Sequence, residues 1–250
     1  MSKAPTLNDK SVLITGGSRG LGRAMAVCFA QRGARVAVSF TSDEEGARET
    51  LAAVEAAGGH PGLCFKTSVL DTRATGKMLK TLTETWGGLE ILVNNAGVSE
   101  NLPLALLDEQ DWDTVVDINL KGAYLTTRAA MRTMIRQKRG VVLNIGSLAG
   151  TRMLEAPIHY CASKAGLKGM TEALAKEVGR HGIRVVCLAP GLLEDGMGRN
   201  LPPHRLEAYL HHCSLSRPGR YDEVAELAAF LVSDANSFMH GETIIMDGGV

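Results

Sequence analysis

Tyr160 and Lys164, in the run His159-Tyr160-Cys161-Ala162-Ser163-Lys164, put a phenol and an amine four residues apart at the start of a stretch that reads as a helix. Positions i and i+4 share a helix face, so both groups can serve one site. A phenol with a pKa of about 10 is a poor acid-base catalyst at neutral pH. A fixed positive charge beside it stabilises the phenolate and lowers that value. Such a tyrosine can protonate a carbonyl oxygen or take a proton from an alcohol. Taken alone, a Tyr-x-x-x-Lys pair is equally well a solvated helix face, so its meaning depends on what else converges on it.

The elements that must position this pair alternate along the chain. Ser11-Val12-Leu13-Ile14-Thr15 reads as a buried strand that stops at Gly16-Gly17-Ser18-Arg19-Gly20-Leu21-Gly22. Helical sequence follows over residues 23–31, Gly33 can end it, and residues 34–40 read as a second strand. Strand, glycine turn, helix and strand make a βαβ unit, whose turn lies where a pyrophosphate binds at a helix N-terminus. The spacing is Gly-x-x-x-Gly-x-Gly, not the Gly-x-Gly-x-x-Gly of the common dinucleotide fingerprint. Further strands are expected at 62–66, 89–93, 141–145, 184–188 and 242–246. Helices are expected at 43–57, 71–86, 108–138, from Tyr160 to about 181, and near 203–212 and 222–231. Seven apolar strands separated by helices predict one doubly wound α/β Rossmann domain over residues 1–250, a parallel sheet with helices on both faces.

In such sheets ligands bind beyond the carboxyl ends of the strands. The unusual polar residues follow strands one after another: the glycine turn after the first, Asn95 after the fourth, Ser147 after the fifth and Pro190-Gly191 after the sixth. Ser147 precedes Tyr160 by thirteen residues, enough for a loop returning to the next helix. Singly, Ser147 is a helix cap and Asn119 a polar residue bonded to its own helix. Together they point to one site.

Lysine plus arginine equal aspartate plus glutamate at 27 each, so no global field argues for nucleic acid or an anionic membrane. Residues 1–10 are polar without an apolar signal region, and no apolar run reaches bilayer length. Five cysteines without Cys-x-x-Cys spacing read as free thiols in a reducing compartment, and no metal site is expected. A cytoplasmic protein is expected.

These motifs resemble those of the short-chain dehydrogenase/reductase family: the turn Thr15-Gly16-Gly17-Ser18-Arg19-Gly20-Leu21-Gly22, Asn94-Asn95-Ala96-Gly97, Asn119, Ser147, Tyr160-x-x-x-Lys164 and Pro190-Gly191. The resemblance runs from about Asn8 to Val250 and implies a catalytic tetrad of Asn119, Ser147, Tyr160 and Lys164. Tyr160 would donate to the nascent alkoxide while a nicotinamide hydride reaches the carbonyl carbon, and Ser147 would hold the substrate oxygen. Lys164 would depress the Tyr160 pKa and hold the nicotinamide ribose, and Asn119 would anchor a water leading from Lys164 to solvent. The implied cofactor contacts are Gly16, Ser18, Arg19, Gly20, Leu21, Gly22, Thr41, Ser42, Ser68, Val69, Asn95, Ala96, Gly97, Tyr160, Lys164, Pro190, Gly191 and Leu193. No acid follows the second strand until Asp43, while Arg19, Thr41 and Ser42 suit a 2′-phosphate, so NADP is expected over NAD.

Within the family the chain is most similar to bacterial β-ketoacyl-acyl-carrier-protein reductases, through Ala130-Met131-Arg132, Ile145-Gly146-Ser147, Leu174-Ala175-Lys176-Glu177-Val178 and Gly241-Glu242-Thr243. That likeness implies an NADPH-dependent β-ketoacyl reductase, a homotetramer, and docking of an acidic carrier protein by Arg132 and Lys176 near the entrance; both are otherwise solvated helix charges. An alcohol, sugar or aryl-ketone dehydrogenase, or a silent dinucleotide-binding subunit, are the other readings. The chain departs from the family at Ser68, where an acid or amide is usual, and at Asp195, where relatives place a threonine near the carboxamide. Residues 192–213, with Met197, Leu201, Tyr209 and Leu210, read as a partly apolar substrate lid.

Overall fold

A computed structural model describes residues 6–196 and 202–250; Met197 and Leu201 lie outside the described residues. The elements run β1 (Ser11–Thr15), α1 (Gly20–Ala30), β2 (Arg35–Phe40), α2 (Glu44–Ala56), β3 (Leu63–Lys66), α3 (Thr72–Trp86) and β4 (Ile91–Asn94), then α4 (Glu109–Val116), α5 (Gly122–Gln137), β5 (Gly140–Ile145), α6 (Ile158–Val178), β6 (Ile183–Pro190), α7 (Pro203–His212), α8 (Tyr221–Val232) and β7 (Thr243–Met246). All seven strands are parallel, in the order β3-β2-β1-β4-β5-β6-β7. The order reverses between β1 and β4, and a crevice opens there at the carboxyl edge.

Why these strands carry no polar face is visible in β1. Val12 and Ile14 pack into a core shared with α1 and α8, through Met25, Phe29, Val224 and Leu231. Leu13, pointing the other way, joins the core under α3, α5 and α6 with Leu82, Met134 and Val178. With period-two side chains and helices on both sides, both faces of the central strands are predominantly apolar. A fully buried side chain such as Phe29 contributes roughly 1.5–3 kcal/mol over leaving it exposed.

At the centre of the sheet, buried polar side chains are linked to one another. Asn94 Nδ2 on β4 donates to Asn144 Oδ1 on β5 and to Thr127 Oγ1 on α5, each at 2.8 Å. Asn144 Nδ2 donates to Thr171 Oγ1 on α6, also at 2.8 Å. This buried ladder ties both central strands to both flanking helices just before Asn95 and Ser147 leave the sheet.

Local signals explain most boundaries. Asp71 accepts from Arg73 N and Ala74 N at 3.0 and 2.9 Å, capping α3, and Gly87 ends that helix at φ +81°. α1 starts at Gly20, three residues earlier than the side-chain pattern predicts, because the glycine turn itself supplies its first turn. The expected long helix over 108–138 is instead α4 and α5 joined by a π-helical segment, Asp117–Lys121. The wider turn shifts the register on which Asn119 sits.

Candidate active site

Beyond the carboxyl ends of the strands lies one open cleft of about 1760 Å³. Ser147, Tyr160 and Lys164 line it, and so do all the sequence-predicted cofactor residues from Gly16 to Leu193. Asn119 is the exception. It is 1 % exposed and stands behind the cleft wall.

The cleft begins at the turn between β1 and α1. Arg19 is the N-cap of α1 but makes no side-chain cap bond, which leaves first-turn amides available to an anion in the cleft. Gly16 has φ +66°, and a Cβ on Gly22 would stand 2.3 Å from the Gly16 carbonyl oxygen, so neither position admits a side chain. The turn is held from outside. Thr15 Oγ1 accepts from Asn95 N and Ala96 N, each at 3.0 Å, and Asn95 Nδ2 donates to Thr15 O and Gly16 O, each at 2.9 Å. Asn95 is therefore a brace between the two loops that flank the reversal point. Arg23 Nη2 donates to Ser18 O at 2.7 Å and secures the turn's far side.

At the β2 end, Arg19, Thr41 and Ser42 are exposed on the cleft rim. Asp43, the first acid after β2, accepts from Gly46 N at 3.0 Å as the N-cap of α2. Its carboxylate is engaged with that helix, and the polarity of this rim is basic and hydroxylic. Ser68 Oγ accepts from Leu70 N at 3.3 Å, and Val69 is buried against the position of Gly122, so this departure from the family pattern builds a tight turn. The uncapped helix start, the side-chain-free turn and the free guanidinium rim fit the phosphates of NADP.

At the other end, α6 places His159 and Ser163 toward the protein interior and Tyr160 and Lys164 toward the cleft. Lys164 is 3 % exposed, donates to Ile145 O at 2.8 Å, and holds its Nζ 5.7 Å from the Tyr160 ring centre. Burial pulls its pKa down to about 8, with Cys187 acting weakly the other way. Burial pushes the Tyr160 phenol above its ordinary value, a hydrogen bond with Ser147 offsets part of this, and Cys161 adds to it. The sequence expectation that Lys164 depresses the phenol is not met in this arrangement. Desolvation sets the direction, and the Lys164 ammonium is directed at Ile145 O.

Asn119 works through backbone. Its Oδ1 accepts from Val98 N at 2.8 Å and its Nδ2 donates to Val98 O at 2.9 Å and to Ser163 Oγ at 3.0 Å. Ser163 Oγ in turn donates to Tyr160 O at 2.8 Å. A Cβ on Gly97 would stand 3.2 Å from Asn119 Oδ1 and 3.6 Å from Lys164 Nζ, so that glycine keeps open the space both groups face.

The third wall is the chain after β6. Gly191 N donates to Met246 O at 2.9 Å, Glu194 N to Gly219 O at 2.9 Å and Gly219 N to Leu192 O at 2.9 Å. The backbone ladder around Leu193 and Gly219 thus seats the loop containing Asp195, whose closure the sequence left open. On α7, Tyr209 Oη accepts from Leu192 N at 2.9 Å, and Arg205 pairs with Glu155 at 2.6 Å across the cleft mouth. Glu155, Arg205 and Tyr221, which also line the cleft, were not singled out from sequence. Arg132 and Lys176 are exposed on α5 and α6, and neither lines the cleft. Among the described residues no helix is long and apolar enough to cross a membrane.

This arrangement can bind a dinucleotide across the sheet reversal and present a carbonyl to a hydroxyl, a phenol and a buried ammonium. Comparison with known proteins agrees. A family model described as enoyl-(acyl carrier protein) reductase matches residues 16–250. The chain is 37 % identical over 246 residues to a 3-oxoacyl-[acyl-carrier-protein] reductase of Thermotoga maritima, covering 98 % of each. It is similar to a short-chain dehydrogenase from Burkholderia cenocepacia in complex with NADP (TM-score 0.89, 33 % identity, 97 % of this chain and 98 % of that one). It is also similar to levodione reductase (TM-score 0.91, 33 % identity, 97 % of each). The fold, the cleft and these matches together make the chain an oxidoreductase that belongs to the short-chain dehydrogenase/reductase family.

Proposed function

We propose that this enzyme uses NADPH to reduce a β-ketoacyl thioester to the β-hydroxyacyl product. The observation that carries the reading is the convergence of Ser147, Tyr160 and Lys164 at one end of a cleft whose other end is an anion-ready turn with a basic rim. Bound NADPH supplies the hydride. Gly16–Gly22 amides and Arg19 hold its phosphates. Ser147 donates to the carbonyl oxygen and keeps it within reach of Tyr160, and Tyr160 protonates that oxygen as negative charge develops there. Burial holds the phenol of the unliganded protein above its ordinary value, so Tyr160 enters this direction carrying the proton it donates. Lys164 lies beside the phenol and is poised to resupply its proton, with Asn119 fixing the Val98 backbone at the inner end of that route.

Relatives named as 3-oxoacyl-[acyl-carrier-protein] reductases favour a carrier-linked substrate. The family model's description favours reduction of a carbon-carbon double bond instead. A hydroxyl and a phenol aimed at one point suit protonation of oxygen, whereas an enoyl group must take its proton on carbon. Levodione reductase favours a free ketone, for which the partly apolar segment 192–213 is an equally suitable lid. A carrier seated on Arg132 and Lys176 would serve a cleft brought alongside by a second copy, in keeping with a cytoplasmic tetramer. The test is a panel of acetoacetyl thioester on carrier protein, acetoacetyl thioester on a small thiol, crotonyl thioester and free cyclic ketones, each with NADPH and NADH. Highest kcat/KM on the carrier-linked ketone with NADPH is expected; preference for a free ketone or for crotonyl thioester would replace this reading.

A further inference from the structure

The first residue of α8, Tyr221, lines the same cleft from an element that none of the motifs includes. Its hydroxyl lies 3.4 Å from where a Cβ of Gly20 would stand, and its ring carbons are the next nearest atoms to that point. Gly20 is the first residue of α1, on the turn whose amides are uncapped. The same hydroxyl lies 2.8 Å from where a Cβ of Gly196 would stand, so the phenol sits between the phosphate turn and the loop after β6. Two hydrogen bonds fix the approach from the other side. Tyr221 N donates to Glu194 Oε1 at 3.3 Å, and Glu194 N donates to Gly219 O at 2.9 Å, just upstream of α8.

We propose that Tyr221 is a positioning residue for the dinucleotide: its hydroxyl faces the diphosphate at the start of α1 and its side chain holds the 192–196 loop against that turn. The inference rests on the NADPH reading above and adds a residue to it. A phenol O–H is a donor matched to phosphate oxygens, and this one stands beside the first residue of α1 in the lining of the cleft. The loop it holds is the one that departs from the family at Asp195. One residue would then link occupancy of the phosphate turn to the setting of the wall around Leu193, so phosphate binding and loop closure would strengthen each other.

Two variants separate the donor from the ring. Tyr221→Phe keeps the packing and removes the hydroxyl; Tyr221→Ala removes both. The readouts are the Kd for NADPH by fluorescence and amide exchange over 192–196 with and without NADPH, neither of which needs a ketone. Tyr221→Phe is expected to weaken NADPH about tenfold, the scale of one hydrogen bond to a charged group. Tyr221→Ala is expected to weaken it further and to abolish the protection of 192–196 that NADPH gives. Equal Kd for wild type and Tyr221→Phe overturns the diphosphate contact, and unchanged protection in Tyr221→Ala overturns the link to the loop. Wild-type protein that binds no NADPH overturns the reading on which the inference rests.

Discussion

At one end of the cleft, between β1 and α1, the groups facing inward are backbone amides and glycine carbons; at the other, beneath α6, they are the side chains of Ser147, Tyr160 and Lys164. At the glycine end the side chains that matter are turned outward. Thr15, Asn95 and Arg23 hold the turn in place and leave its first-turn amides uncapped. At the α6 end the backbone is turned away and itself held, through Asn119, Val98 and Ser163. A phosphate needs many weak donors at fixed positions and no obstruction. A proton transfer needs one group of the right pKa in one place. The two ends should therefore fail in opposite ways: the first when an atom is added, the second when an atom is removed.

Adding one carbon is the largest perturbation available. Gly22→Ala would place a Cβ 2.3 Å from Gly16 O and 2.8 Å from Asn95 Nδ2, contacts that neither backbone nor brace can relieve. Loss of NADPH binding by at least about a hundredfold is expected from calorimetric titration, a cost of a few kcal/mol, and turnover should be lost with it. Binding within a few-fold of wild type would show that the turn tolerates a side chain and end the contrast.

Removing charge at the rim is a smaller step. Arg19→Gln leaves the turn intact and should weaken NADPH about tenfold while leaving NADH unchanged. Because Asp43 is committed to capping α2, the variant should not gain NADH affinity. Equal weakening of both cofactors would assign Arg19 to the diphosphate and not to the 2′-phosphate.

The smallest expected effect concerns stability. Lys164 has a folded pKa of about 8 against an ordinary value of 10.5, so the unfolded chain binds the proton more tightly than the folded one. Its burial therefore costs stability, fully below pH 8, and the cost is relieved as pH rises from about 8 toward 10.5. Lys164→Met should be inactive yet raise Tm by about 2–4 °C at pH 7, the scale of 1 kcal/mol in a chain of this size. Thermal melts at pH 7 and pH 10 should show that gain shrinking. A lower Tm for Lys164→Met at pH 7 would mean the bond to Ile145 O outweighs the buried charge.

The contrast also explains what the sequence could disclose. Glycines at fixed spacing after a buried run are legible because few other reasons exist for Gly16, Gly20 and Gly22 so close together. Tyr160 and Lys164 are legible from helical period, and Asp71 and Gly87 from capping chemistry. Three things were not. The placement of Asn119 depends on a π-helical turn, and nothing in Asp117–Lys121 departs from ordinary helical sequence. The direction of the Tyr160 pKa depends on how deeply the phenol is buried relative to Lys164, which spacing alone does not contain. Tyr221 reaches Gly20 only because α8 packs beside α1, a contact between residues some two hundred positions apart.

If Tyr160 delivers the proton to a ketone oxygen while the dinucleotide end works independently, one variant should separate the two. Single-turnover mixing of NADPH-loaded Tyr160→Phe with the preferred ketone from the panel, followed by NADPH absorbance, tests it directly. The expected result is an NADPH Kd and Tm equal to wild type with hydride transfer slowed by about a hundred- to ten-thousandfold. Hydride transfer within a few-fold of wild type, with binding unchanged, would contradict it.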